Sequence, residues 1–475
     1  MPDGRIRLFP TLLVCLAFAV SAAAATPEER FEELKRTATP AELYTFLYAL
    51  PKGGDLHDHF GGSILPEWWL EAVLDPAVNG GERFYTRTRF LNHADSEQPF
   101  IQFVTIREFE FNALPAHLQE EYVAMDSLDA ASRAAWISSI KLDQHGEGRD
   151  EFFGTTFQRL DGLRSHPGVV LAVMKRCMAA FAAEGVRYIE WQFGVFGHSE
   201  RDGSRVPADE MARRVGEFLD RPDVKALGIT VRFQEAILRF RPTAEKQLEA
   251  VYKFVDANRD LWVGINMVGI EERGPGYPKR FLETFRRLRI ATPGIPLSIH
   301  AGEMDAPNTH VRDTLVLGAT RIGHAVNLIH DPDTMLLMRD RTLVEINLIS
   351  NQLLEYTPDI AKHPFPEYLR TGIPVCLNTD DRGMWDSNLT DEYYTAVTVF
   401  NLSWAELVSL ARNSLVHSFV QPDVKAALLA DYERDITAFE ARMTGTDWRE
   451  AIAGVKPVTY GYAKRMWGLE FAKAN

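Results

Sequence analysis

Eight short apolar or β-rich runs recur along this chain, at 54–57, 186–193, 230–234, 261–268, 296–300, 320–324, 343–348 and 374–379. Helical patterns lie between most of them, as at 170–184, 244–258, 278–290 and 334–339. Parallel strands need a long crossover between them, so strand and helix in alternation predict an α/β fold with a parallel sheet. Eight such units predict a (β/α)8 TIM barrel, in which the chain ends of the strands open onto one common mouth.

About 125 residues separate the first two runs, far more than a strand-to-helix connection uses. The spacing therefore predicts an insertion over about 66–165, with helices at 66–74 and 130–141 and a hairpin arm at 85–92. After Asp381 the patterns at 392–400, 404–416 and 422–442 are helical and are expected to wrap the outside of the barrel. No Ser/Gly-rich linker or internal repeat divides the chain, so residues 26–475 read as one domain.

The N-terminus has the pattern of a secretory signal. Arg5 and Arg7 precede an apolar stretch over 8–20, followed by Ser21 and four alanines, with cleavage expected after Ala23 or Ala25. That stretch is short for a membrane span. A lipoprotein signal using Cys15 fits less well, because Val14 stands where a small residue is wanted. The reading is a secreted or periplasmic protein with no stable membrane anchor. The mature chain would keep only Cys177 and Cys376, too few for a disulfide framework. A net charge of −14 argues against a general phosphate-backbone binder and toward a small-molecule partner. Homodimerisation is left open.

The chemistry-bearing residues cluster at run ends. His57 and His59 form an His-x-His pair whose side chains share one side of a strand, which is half of a zinc site. His300-Ala301-Gly302-Glu303 ends the fifth run, Gly323-His324 the sixth, and Asn378-Thr379-Asp380-Asp381 the eighth. In a barrel all of these open onto the same mouth, so four separate runs deliver imidazoles and carboxylates to one place. The Gly302 turn lets the Glu303 carboxyl swing back beside the metal.

Taken with Pro51-Lys52-Gly53-Gly54-Asp55-Leu56 before the histidine pair and Arg321-Ile322 before Gly323-His324, these segments resemble the ordered motifs of the adenosine deaminase family over about 51–419. Ile349-Ser350-Asn351-Gln352 and Asn413-Ser414-Leu415 most resemble its secreted, growth-factor-like branch. The resemblance implies hydrolytic removal of the 6-amino group of adenosine or a related adenine nucleoside. It makes His57, His59, His300 and Asp380 the ligands of one Zn2+ per chain, with water completing the site; the metal lowers the pKa of that water toward neutrality. Glu303, His324 and Asp381 would be catalytic: Glu303 protonates N1, Asp381 holds the attacking oxygen, and His324 acts electrostatically and assists removal of the water's proton. Gly269 would contact purine N3 through its N–H, with a tight turn as the competing reason for glycine there; His59 and Asp381 would also touch substrate. Glu271 and Glu272 are either solvated or near the sugar.

Two departures from the family pattern stand out. Phe60-Gly61-Gly62 replaces Leu-Asp-Gly, so the acid that often meets the sugar 5′-hydroxyl is missing. Arg382 replaces a common proline, adding a cation near the rim or reshaping the loop. Trp68, Trp69 and Phe60 could wall the pocket or pack in the core. The rival readings are a mononuclear amidohydrolase acting on another cyclic amide or ester, and an extracellular binding or signalling protein that keeps the barrel. The fourth run offers Asn266-Met267-Val268-Gly269 and so no group to bridge two metals. Nucleic-acid base deaminases with a Cys-x-x-Cys zinc motif are excluded, because the chain has none.

Overall fold

Each of the eight expected runs is a strand. In the computed structural model, which describes residues 25–91, 100–271, 275–304, 306–445 and 447–471, they are β1 (Gly53–His59), β5 (Val186–Gln192), β6 (Thr230–Leu238), β7 (Trp262–Val268), β8 (Leu297–Ala301), β9 (Arg321–His324), β10 (Leu343–Ile346) and β11 (Val375–Leu377). They pair in parallel in that order. A parallel bridge between Asp58 and Asp380 closes the ring: His59 N–H donates to the Asp380 carbonyl and Asp380 N–H to the His57 carbonyl, both at 2.9 Å. The fold is a (β/α)8 barrel, joined at its mouth by residues of its first and last strand ends. The segment read as an export signal lies outside the described residues except for Ala25, and so does Glu272. Among the described residues no helix is long and apolar enough to cross a membrane.

Connecting helices cover the barrel as the patterns predict, among them Pro167–Ala183, Ala244–Ala257, Pro332–Met338 and, past β11, Leu389–Phe400, Trp404–Val416 and Pro422–Met443. The expected helix at 278–290 is a 3-10 turn, Pro278–Phe281, followed by Leu282–Ala291. The Asn413-Ser414 motif fastens the outside of the barrel seam: Ser414 Oγ accepts from Gly54 N–H at 2.8 Å, and Asn413 Nδ2 donates to the Val375 carbonyl at 3.0 Å.

The Lys-Gly-Gly segment has a structural reason. Lys52 is fully buried and its ammonium donates to the carbonyls of Tyr48 (3.2 Å), Leu50 (3.3 Å) and Glu184 (2.5 Å), tying the ends of helices Pro40–Ala49 and Pro167–Ala183 to the start of β1. Gly53 has φ +67°, and a Cβ there would strike the Ala411 carbonyl, so only glycine lets the last helical layer approach.

Between β1 and β5, helices Pro66–Leu74 and Ala130–Ser139 match the expected positions. The arm read at 85–92 is partly different. Its first residues lie in β2 (Phe84–Arg87), the centre of an antiparallel sheet with β3 (Thr105–Arg107) on one side and β4 (Tyr122–Ala124) on the other; 88–91 are in no strand, and residue 92 lies outside the described residues. Alternation within the central strand cannot reveal two short partner strands, of three residues each, further along the chain.

Candidate active site

The strand ends bring the motifs together. Ligand atoms of His57, His59, His300 and Asp380 lie within 4.8 Å of one another, and those of Glu303, His324 and Asp380 form a second, overlapping group. His59 Nε2 is 3.2 Å from His300 Nε2 and 3.1 Å from Asp380 Oδ1; His57 Nε2 is 3.4 Å from the same oxygen. His57, His300 and Asp380 are buried, with His59 half-buried at the entrance. His324 and Asp380 hold left-handed backbone, φ +65° and +57°, an unfavourable state for side chains of this kind that is typical of functional sites.

The proton positions follow from the hydrogen bonds. His57 Nδ1 meets the Glu345 carboxylate at 2.8 Å and so carries the hydrogen, which leaves the Nε2 lone pair facing the cluster. His300 Nδ1 meets Asn266 Oδ1 at 3.0 Å, and Asn266 Nδ2 donates to Gln234 Oε1 at 3.1 Å, so His300 also turns a lone pair inward. His57 Nε2, Asp380 Oδ1 and Asp381 Oδ1 are all buried without hydrogen-bond partners. Nitrogen lone pairs and carboxylate oxygens aimed at one space, with the His57 ring backed by a carboxylate and the His300 ring by an amide, fit the donor set of a divalent-metal site.

His324 is wired differently. Phe365 N–H donates to His363 Nδ1 (3.1 Å), so His363 Nε2 carries a hydrogen and donates to Asn351 Oδ1 (3.1 Å). Asn351 Nδ2 therefore points at His324 Nδ1, 3.1 Å away, and Asn347 Nδ2 approaches the same nitrogen at 3.2 Å. Neutral His324 then carries its hydrogen on Nε2, which lies 3.5 Å from Glu303 Oε1. Burial holds both imidazoles below the usual histidine range, His363 at about 3, so the relay stays neutral.

Glu303 is buried beside His324 after Gly302, whose φ is +72°, so the turn does swing the carboxyl back toward the cluster. Asp381 is held well above the usual carboxylate range by burial and then by repulsion from Asp380, Asp58 and Glu303. Asp380 goes the other way: burial would raise it, but the imidazoles of His57, His59 and His324 gathered around it hold it well below that range.

Other expectations resolve as follows. Gly269 directly follows β7 with φ +86°, so the turn by itself accounts for glycine there. Glu271 is not solvated: it is buried, 3.1 Å from His310 Nδ1. Arg382 is no rim cation, being buried with Nη1 3.0 Å from Glu184 Oε1 and its guanidinium over the Phe181 ring at 4.3 Å. Phe60, Trp68 and Trp69 are buried; the Phe60 ring packs on Trp191 and Phe193 at 5.4 and 5.0 Å, so they form core. Cys177 and Cys376 are buried and unpaired, and burial pushes the Cys177 thiol up to about 12. The sequence reading missed Glu345, Asn347 and His363 as supports of the site, and treated Asn266 and Asn351 only as motif letters. The available signal was a polar residue inside an otherwise apolar barrel strand.

A parallel eightfold barrel with a histidine–carboxylate cluster at its mouth is the architecture of a metal-dependent barrel hydrolase. Comparison with known proteins narrows this. The adenosine deaminase family profile matches residues 126–434. An adenosine deaminase of Enterococcus faecalis is 32% identical over 251 residues, 52% of this chain and 71% of that protein. An adenine deaminase of a Chelativorans species is 34% identical over 259 residues, 52% of this chain and 74% of its own length. A zinc-bound amidohydrolase from Burkholderia ambifaria shares the fold, with a TM-score of 0.62 at 20% identity over 87% of this chain and 98% of that one. The chain belongs to the adenosine deaminase family, and is a deaminase-type hydrolase of adenine-type substrates.

Proposed function

We propose that the protein uses one zinc ion per chain to deaminate adenosine or a related adenine nucleoside, giving the inosine-type product and ammonia. The observation that carries this reading is the buried convergence of His57, His59, His300 and Asp380 with Glu303, His324 and Asp381 around it. Zinc held by the first four would supply the Lewis acidity that brings the pKa of a water toward neutrality. Asp381, through its unpartnered Oδ1, orients the attacking water. His324 donates from Nε2 and stabilises the negative charge that develops as the water loses its proton. Glu303 delivers a proton to N1 as oxygen adds to C6; the proton given up by the water passes by way of Asp381 to the amino nitrogen, the C6–N bond breaks and ammonia leaves, and the C6 hydroxyl returns its proton to Glu303 as the carbonyl forms. The Gly269 N–H would meet N3, and His59 at the entrance would touch the sugar. The N-terminal segment supports export; mass analysis of protein from a secreting host should find the mature end after Ala23 or Ala25.

The test is ultraviolet monitoring of purified protein with adenosine, 2′-deoxyadenosine and adenine, alongside elemental analysis. One equivalent of zinc and turnover of an adenine compound are expected; activity that scales with a second equivalent overturns the single-metal reading. Glu303→Gln keeps size and a hydrogen-bond donor but removes the transferable proton, so it should retain zinc and lose about 10²-fold or more in kcat. Near-normal turnover with zinc retained would put the cyclic-amide or ester hydrolase reading ahead.

A further inference from the structure

The turn after His59 contains two glycines, and other residues fill the space their side chains would take. A Cβ on Gly62 would collide with Asp381 Oδ1. A Cβ on Gly61 would stand 2.8 Å from Arg164 Cδ and 3.7 Å from its Nη1. The Asp381 carboxyl and the Arg164 side chain therefore sit over neighbouring residues of one turn, two and three positions past the candidate ligand His59.

Arg164 reaches this place from the end of the insertion, together with Phe157, whose ring lies 6.3 Å from that of His59 and 5.8 Å from the Arg164 guanidinium carbon. Its side chain is 39% exposed, so the cation stands where the site meets water. Nη2 pairs with Asp161, one turn back in the same short helix and itself 62% exposed; a pair this open is weak. Nε is buried and has no hydrogen-bond partner. A guanidinium only donates and prefers planar anions, phosphate or carboxylate, to a hydroxyl.

We propose that Arg164 is a substrate-recognising residue that binds an anionic group on the sugar side of an adenine-type substrate, so that the preferred substrate bears a 5′-phosphate or a carboxylate-bearing 5′ substituent. This rests on the deaminase reading above. With C6 against the histidine–carboxylate cluster and N1 against Glu303, the sugar is the part of the substrate that points toward water, where the Arg164 cation stands.

Zinc-loaded full-length protein is assayed with 5′-AMP, S-adenosylhomocysteine, adenosine and 5′-methylthioadenosine. The phosphate- or carboxylate-bearing compound of each pair, 5′-AMP against adenosine and S-adenosylhomocysteine against 5′-methylthioadenosine, should exceed the one without that group in kcat/KM by about tenfold or more at low salt, the scale of a charge-assisted hydrogen bond. Comparing 5′-AMP with S-adenosylhomocysteine tells phosphate from carboxylate. Arg164→Gln should reduce the anionic-to-neutral ratio by about 10- to 100-fold, chiefly through KM, with Arg164→Lys between the two. In the unaltered protein the ratio should also fall as salt rises, a readout that does not depend on any variant folding. Equal or better turnover of the uncharged nucleosides, or equal losses on all substrates in Arg164→Gln, overturns this proposal while leaving the deaminase reading standing. Turnover of none of the four, nor of adenine, overturns both.

Discussion

The histidines of the site have their tautomers set by neighbours that never reach the reacting atoms. Glu345 fixes His57, Asn266 fixes His300, and the His363–Asn351 pair fixes His324. Glu345 is itself held by Arg321 at 2.7 Å and by Ser298 Oγ at 2.8 Å, and Arg321 continues to Glu190 at 2.7 Å, so the barrel interior carries a paired polar chain up to the site. A buried charge is tolerated when paired in this way and costly when one partner is removed. Glu345→Gln keeps an acceptor for His57 but loses the charge, and should weaken metal binding by about 10- to 100-fold in chelator competition. His363→Phe should leave metal affinity near that of the unaltered protein yet lower kcat by about tenfold or more, because Asn351 then loses the donor that orients it. The motif residues at strand ends were legible in the sequence because chain order alone carries them to one mouth. Glu345 was not, since it is one acid in an apolar run and its partner His57 lies 288 residues away.

At the scale of elements, the barrel and two helices of the insertion were readable and the inserted sheet was not, for one physical reason. Barrel strands are buried on both faces and stand out as apolar runs, as in Leu343–Ile346, where all four residues are buried. In the inserted sheet, β2, β3 and β4 are four residues or fewer and hold together partly through buried ion pairs, Arg107 Nε to Glu82 Oε1 and Arg87 Nε to Glu121 Oε2, each at 2.8 Å. Those charges read as solvent-facing in sequence, and their partners come from outside any local window. The Lys-Gly-Gly segment was noticed only as a motif letter string; its work is to join two helix ends to β1. Lys52→Met keeps the stem but strands three carbonyls in the interior, and should lower stability by about 3 kcal/mol or more. Calorimetry should show this as a lower Tm, with KM unaltered at temperatures where the variant is folded.

For the whole molecule, the excess of acidic over basic residues is reflected inside as well as outside, since several carboxyls are buried without a cation. Glu235, on β6, is the clearest case. Its Oε2 accepts from Val195 N–H at 3.4 Å, and burial, only partly opposed by that bond, pushes its carboxyl up to about 8 from an ordinary value of 4.5. The folded state thus keeps a proton that the unfolded chain releases. Folding binds more protons than unfolding in that window, so stability from this group is fully present below pH 4.5, declines as pH rises, and is lost by the time pH passes through about 8. Glu235→Gln cannot titrate and does not share the decline. The Tm of the variant minus that of the unaltered protein should therefore be smallest near pH 4.5, grow steadily to about pH 8 and level off above it, measured by calorimetry at constant ionic strength. A difference that stays flat across this range would mean that Glu235 titrates alike in the folded and unfolded chains, and that water reaches the carboxyl behind β6.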